Sequence, residues 1–242
     1  MTVTSSQAGT NVHEIAAGVY RISTPVTAIP GGFTFNQMLL VDDEPLLFHT
    51  GLKRMFPLVK EAVAHVLGDL TKLRYVGFSH FESDECGALN EWLAVAPASQ
   101  AVCSTVAAMV SVQDFADRAP RALADGEELS LGTKRVRWLD APHLPHNWEC
   151  GFLFESSTRT LLCGDLFTQG GTDNPPITER DILGPSEALR KNMGGVAIEA
   201  GARKLLTKLA STEPTTLATM HGSSFRGDGG ALLLELAREL GV

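Results

Sequence analysis

Several features that would mark a function class are scarce or missing. No stretch approaches the ~20 consecutive apolar residues that a membrane-spanning helix needs, so no membrane role is expected. Basic residues are outnumbered, with 20 Lys and Arg against 28 Asp and Glu and a formal net charge of −8. That balance leaves no broad basic face for nucleic acid and disfavours an anionic membrane surface. Cysteine is sparse: Cys86, Cys103, Cys150 and Cys163 lie far apart, with no CxxC pair and no disulfide framework. They read as reduced thiols of a cytoplasmic protein. Residues 1–11 (MTVTSSQAGTN) lack the charged-then-apolar order of a signal peptide and read as a flexible N-terminal tail. No repeat, linker or low-complexity tract divides the remainder, so residues 12–242 are expected to form one domain.

What is present is a soluble composition, 44% hydrophobic and 20% charged, with ample material for a large core. GVYRIST (Gly18–Thr24) alternates apolar and polar residues, and QMLLVDDEPLLFHTG (Gln37–Gly51) reads as two strands around a turn. Helical spacing of Val59, Val63 and Leu67 predicts a helix over 56–67. A short buried strand follows (RYVGFSH, 74–80), then a helix near 87–95. The second half repeats this grammar, with strands at 136–143, 151–156, 159–165 and 216–220 and helices near 195–209 and 230–240. Between them, residues 170–185 form a Gly/Pro-rich stretch, long enough to be a functional loop beside the site. Two β-then-α halves fit an α/β fold, a four-layer αββα sandwich.

Ligand-type residues gather at the ends of these strands. His80-Phe81-Glu82-Ser83-Asp84-Glu85 follows a buried strand directly, and alternate residues of an extended segment would bring His80, Glu82 and Asp84 to one side. A plain polar loop with Asp84 as a helix cap is the bland reading of this segment. Yet four ionisable groups at the end of an apolar strand are costly unless a cation neutralises them. His143 and His146 sit in APHLPHNW just past another strand, Asp165 ends LLCGD, and His221 follows TLATM. Singly, Asp165 would be a helix cap and His221 a core histidine. Four strand ends each offering a ligand fit a metal site on one edge of the sandwich.

This order of motifs, His-x-Glu-x-Asp, a distant His, Asp after LLCG and a late His-Gly, resembles the metallo-β-lactamase superfamily from about Val12 to the C-terminus. The hydrolases of that superfamily carry His-x-His-x-Asp-His. Glu82 in the second position is instead similar to flavodiiron proteins and to related oxygen-binding diiron proteins without a flavodoxin domain. The 62 positions from Asp84 to His146 and 19 from His146 to Asp165 match that subgroup. The resemblance implies one metal held by His80, Glu82 and His146, a second by Asp84 and His221, and Asp165 bridging, with Glu82 and Asp165 shaping the reactivity. Glu85 stands where the hydrolases have a second histidine; it would ligate, orient a water or face solvent. His143 is the runner-up ligand to His146, and His49 a candidate support beneath the site.

Three carboxylates with three histidines suit two iron ions, with zinc or manganese as substitutes. The expected function is binding of O2 or NO, with or without reduction, by a dinuclear non-haem iron protein, a sensor or one served by a separate electron donor. About 20 residues follow His221, so no bound flavin is expected. The alternative is a dinuclear metal-dependent hydrolase of an ester, thioester or phosphodiester. A homodimer is the expected assembly.

Overall fold

A computed structural model describes residues 1–193 and 201–242. The first sheet has eight strands in sequence order: β1 (Thr2–Ser5), β2 (Thr10–Ala16), β3 (Val19–Val26), β4 (Phe33–Leu40), β5 (Leu46–Phe48), β6 (Tyr75–Gly77), β7 (Gln100–Ser104) and β8 (Arg121–Leu123). The first five pair antiparallel, while β5 through β8 run parallel. Its crossovers carry α1 (Phe56–Leu67), a helical turn α2 (Ser83–Cys86), α3 (Leu89–Val95) and two more turns, α4 (Thr105–Ala107) and α5 (Gln113–Phe115). The second sheet takes β9 (Glu128–Ser130), β10 (Arg135–Asp140), β11 (Gly151–Glu155), β12 (Thr160–Leu162), β13 (Ile177–Thr178), β14 (Thr216–Ala218) and β15 (Ser224–Arg226), in the spatial order β13-β15-β14-β12-β11-β10-β9. Helices α6 (Leu183–Asn192), α7 (Ala202–Ala210) and α8 (Gly229–Glu239) belong to this half.

Side-chain alternation turns these elements into four layers. In β4, Phe35 and Leu39 face outward, into a cluster with Val59 and Val63 of α1 and Trp92 of α3. Met38 and Leu40 face inward, where Trp138, Leu153 and Leu162 of the second sheet meet them. In β11 the neighbours of Leu153, Phe152 and Phe154, turn the other way and are covered by Leu206 and Leu209 of α7 and Leu233 and Leu236 of α8. Each sheet is therefore buried on both faces, the condition under which parallel strands occur. The helix predicted over 56–67 forms at those limits, with Pro57 in its first turn and Gly68 (φ 73°) closing its end.

Topology places the site. Three of the candidate ligands lie three residues beyond a parallel strand: His80 after β6, Asp165 after β12 and His221 after β14. The carboxyl ends of parallel strands, where loops converge and backbone pairing stops, are the usual seat of ligands in α/β sheets.

Some expectations need correction. Residues 1–11 are not a loose tail: β1 and β2 form an antiparallel hairpin on the sheet edge, because TVTS supplies β-branched residues and Thr10 and Val12 are buried. The helix expected over 195–209 begins at Ala202, and its first residues, 195–200, lie outside the described residues. The stretch 170–185 contains β13, which pairs with β15, and the first residues of α6, whose Pro185 occupies the first turn where a missing amide hydrogen costs nothing. Strands β7, β8, β9 and β15 were not expected; at three to five residues, they are too short to declare a period.

Candidate metal centre

The turn after β6 assembles the first group of ligand atoms. The extended backbone ends at Glu82 (φ −136°, ψ 154°), and Ser83–Cys86 coils into the turn α2. Strict strand alternation does not bring the ligands together: the Glu82 amide donates to the His80 carbonyl at 3.0 Å, and this tight turn leaves His80 Nε2 and Glu82 Oε2 2.7 Å apart. Asp84 is carried by the helical turn towards His221 instead, with Oδ2 3.4 Å from its Nε2. It is not the helix cap; Glu82 holds that position and makes no capping bond with its side chain.

His146 reaches the same group from the β10–β11 loop. The amide of His143 donates to the carbonyl of Asn147 at 2.7 Å, closing a tight turn that leaves His143 (φ 63°) exposed and lining the cavity beside the ligand group, while His146 stands among the ligand atoms. His146 Nε2 is 3.0 Å from Asp165 Oδ2 and 3.9 Å from Glu82 Oε2, and its ring stands edge-on to that of His80, with centroids 4.7 Å apart. His80, Glu82, His146 and Asp165 bring one ligand atom each within 4.8 Å of one another. Asp165 turns its other oxygen, Oδ1, towards His221 Nε2 at 3.1 Å. Its carboxylate faces both groups: His80, Glu82 and His146 on one side, Asp84 and His221 on the other.

Backbone conformation lets Asp165 stand there. Gly164 before it has φ 49°, and a Cβ would fall 2.6 Å from Ser79 Oγ, so only glycine fits between β12 and the turn after β6.

His221 is fixed by the other sheet. Its Nδ1 lies 2.8 Å from the carbonyl of Thr34; a carbonyl only accepts, so Nδ1 carries the hydrogen and Nε2 is left facing the carboxylates. Thr34 Oγ1 accepts from the amide of Gly222 at 2.8 Å. Asn36 Nδ2 donates to the carbonyls of Thr219 and Gly222 (3.0 and 2.9 Å), and Arg21 Nη2 donates to the latter at 2.9 Å. Phe33 lies against the imidazole at 4.3 Å between centroids, and Phe35 meets it edge-on.

Glu85 is fully buried and points away from the ligand atoms. Its Oε2 accepts from the amides of Ser79 (2.8 Å) and His80 (2.7 Å), while Oε1 accepts from the Ser79 hydroxyl and lies 3.1 Å from His80 Nδ1. Solvent exposure, one of the three expectations for it, is thereby overturned. His49, at the end of β5, is buried beneath, with Nε2 3.7 Å from Glu85 Oε1. Sequence reasoning missed Glu149, a buried carboxylate whose Oε1 accepts from the amide of Phe81 at 2.7 Å and so braces the ligand turn. A charged residue flanked by Trp148 and Cys150 just before an apolar strand was its only signal.

The electrostatics are those of a site short of positive charge. Burial opposes ionisation of His80, yet Cys150, Glu82 and Glu85 hold it well above the usual histidine range. His221 behaves alike: burial lowers it, Asp165 and Asp84 more than compensate, and it rises to about 10. Asp165 raises His146. Burial would raise Asp165 itself, but the His146 and His221 rings keep it well below the ordinary carboxylate range. Asp165 Oδ1 remains a buried oxygen without a hydrogen-bond partner, because His221 Nε2, though close, lies off the line a hydrogen bond requires. An orphaned carboxylate oxygen aimed between imidazoles costs free energy unless a cation takes it. The donor set, imidazole nitrogen and carboxylate oxygen without thiolate, fits two iron ions and tolerates zinc or manganese. Above it opens a cavity of about 340 Å³, walled by Phe33, Leu144, Phe167 and Leu189, with Glu82 and Asp165 among the residues that line it. Against expectation, residues 170–185 do not line this cavity; Phe167 and Thr168 before them and Ser186, Glu187, Leu189, Arg190 and Met193 after them do.

The family model for the ODP family of β-lactamase-fold proteins matches residues 33–222, most of the chain and every candidate ligand. The chain belongs to the ODP family. Solved structures agree on the fold of this ODP protein. Rubredoxin oxygen:oxidoreductase of the anaerobe Desulfovibrio gigas superposes with a TM-score of 0.80 at 20% identity, over 95% of this chain and 61% of that one. The flavodiiron protein of Giardia intestinalis gives 0.79 at 19%, over 94% and 59%. A fragment, residues 1–254, of diflavin flavoprotein A 5 from Nostoc sp. PCC 7120 gives 0.81 at 20%, over 95% and 94%. The chain thus spans about three fifths of the two longer proteins, and the likeness is one of fold. No curated protein matches the sequence. The four-layer metallo-β-lactamase sandwich is the fold of this chain, and its relatives by structure are the cores of flavodiiron proteins. Among the described residues no helix is long and apolar enough to cross a membrane.

Proposed function

We propose that the protein holds two iron ions and binds O2 or NO between them. His80, Glu82 and His146 would hold one ion, Asp84 and His221 the other, with Asp165 shared. Electrons would come from a separate donor, and the same cavity would serve a sensor that stops at binding. The observation that carries this reading is Glu82, a carboxylate 2.7 Å from His80 Nε2 where an imidazole would leave the group less negative. Bound iron would supply reversible one-electron chemistry at each of two adjacent positions.

The chain's own residues do the rest. Thr34 and the Gly222 turn hold the His221 ring so that Nε2 faces inward. Asp165 keeps both oxygens ionised and directed to opposite sides. Apolar walls around the cavity, Phe33, Leu144 and Phe167 among them, suit a small apolar gas. Two ferrous ions carry two electrons where reduction of O2 to water takes four, so turnover would depend on the donor and binding would not.

Protein produced with ample iron and purified without oxygen should contain about two irons per chain. Its ferrous form should change its visible spectrum and its paramagnetic resonance on titration with O2 and with NO. Two irons with no response to either gas would sink the proposal. Two zincs with no iron taken up, together with phosphodiesterase or esterase activity, would replace it with the hydrolytic reading.

A further inference from the structure

Glu85 is buried and ionisable, and the proposed function leaves it without a task. We propose that it is a positioning residue that acts through His80: its carboxylate, held 3.1 Å behind Nδ1, would take the hydrogen of that nitrogen once Nε2 is bound to metal and make the imidazole a stronger donor, favouring the ferric state of the ion His80 holds. This rests on the diiron reading above.

Geometry carries the assignment. Both carboxylate oxygens are already engaged by the segment Ser79–His80. Oε2 takes two backbone amides, at 2.8 and 2.7 Å. Oε1 takes the Ser79 hydroxyl and stands 3.1 Å from His80 Nδ1. A side chain with no exposure and three donors on one segment cannot also swing to the far face of its helical turn. The two amides fix the carboxylate, and the carboxylate in turn fixes the ring, with Nδ1 inward and Nε2 towards Glu82. A carboxylate on the back nitrogen of a ligating histidine sets its tautomer and raises its basicity. Low local dielectric strengthens the effect, since no water competes for the charge. The Ser79 hydroxyl shares Oε1 and so tempers it.

A second consequence concerns the other group. With Glu85 committed to His80, the chain offers Asp84, His221 and the shared Asp165 there, against four residues on the first side. The side with fewer protein ligands is therefore the Asp84–His221 side, against which Phe33 packs.

The test is the midpoint potential of the iron-loaded protein together with its iron content. Glu85→Gln keeps the shape and removes the charge; it should retain two irons per chain and shift the ferric-to-ferrous preference at least tenfold towards ferrous, about 59 mV upward for one electron. Ser79→Ala removes the competing hydroxyl and should shift the potential the opposite way. Glu85→Asp, which restores a carboxylate, should return part of the Gln shift. Loss of one iron in Glu85→Gln would make Glu85 a ligand and overturn the proposal. Unchanged potentials in the Gln and Ala variants would reduce Glu85 to a spacer and overturn it equally. If the Gln variant does not fold, the sign of the Ser79→Ala shift decides: downward supports the proposal, none or upward overturns it. A wild-type protein that takes up no iron would fail the diiron reading instead, a distinguishable outcome.

Discussion

Metal uptake by this protein should release protons, and the amount follows from the three histidines. In the metal-free site His221 is raised to about 10 because Asp165 and Asp84 outweigh the cost of its burial. Its Nδ1 hydrogen is spent on the Thr34 carbonyl, so the proton that must leave is the one on Nε2, the atom a metal needs. At pH 7 that proton sits about three units below its pKa, and removing it costs about 4 kcal/mol at ~1.36 kcal/mol per unit. His80 and His146 are raised too, by Cys150, Glu82 and Glu85 in one case and by Asp165 in the other. His80 and His221 are then protonated before metal arrives. The expected result is at least two protons released as two metals bind at pH 7, with affinity on the His221 side tightening roughly tenfold per pH unit until about pH 10. Anaerobic calorimetry with ferrous or zinc ion in two buffers of different ionisation heat measures the number directly. Proton release near zero, or affinity that stays flat between pH 6.5 and 8.5, would refute this charge assignment. The same shift has a consequence for the metal-free fold. A histidine raised on folding stabilises fully below its unfolded pKa near 6.5, and the benefit is lost as pH climbs through about 10. Metal-free protein should therefore melt at progressively lower temperature across that window, while the metal-loaded form should not.

Other perturbations separate the parts of the site. His221→Ala should lower metal content from about two to about one per chain by mass spectrometry, because the His80–Glu82–His146–Asp165 group stands without it. Asn36→Ala strips a donor from the carbonyls of Thr219 and Gly222; two buried acceptors lose a partner, a cost of about 1–3 kcal/mol in chemical denaturation, with metal lost first from the His221 side. Gly151→Ala tests the packing between β10 and β11: its methyl would stand 2.2 Å from Trp138 Cζ2, and the resulting overpacking should destabilise by about 1–3 kcal/mol or more without changing metal stoichiometry in the folded fraction.

The sequence by itself determined the elements that are long enough to carry a period and the residue types at their ends. The apolar–polar alternation of β3 and the helical spacing in α1 are legible in the chain because each is a local period of residue type. The apolar strands ending in His80, Asp165 and His221 were legible for the same reason: polar groups at such ends require an external partner. Tertiary structure alone decided where side chains beyond those ends point. Glu85 was open to three roles, and two backbone amides with the back of His80 claimed it, a choice made by the path of the turn and not by residue type. His146 stands among the ligand atoms and His143 only on the cavity wall, a division that depends on how the loop closes between His143 and Asn147. Asn36, Thr34 and Arg21 steady His221 across more than 180 positions of sequence, through contacts that exist only once the two sheets face each other. Short-range periodicity cannot encode such contacts, since they depend on how separate elements are placed in space.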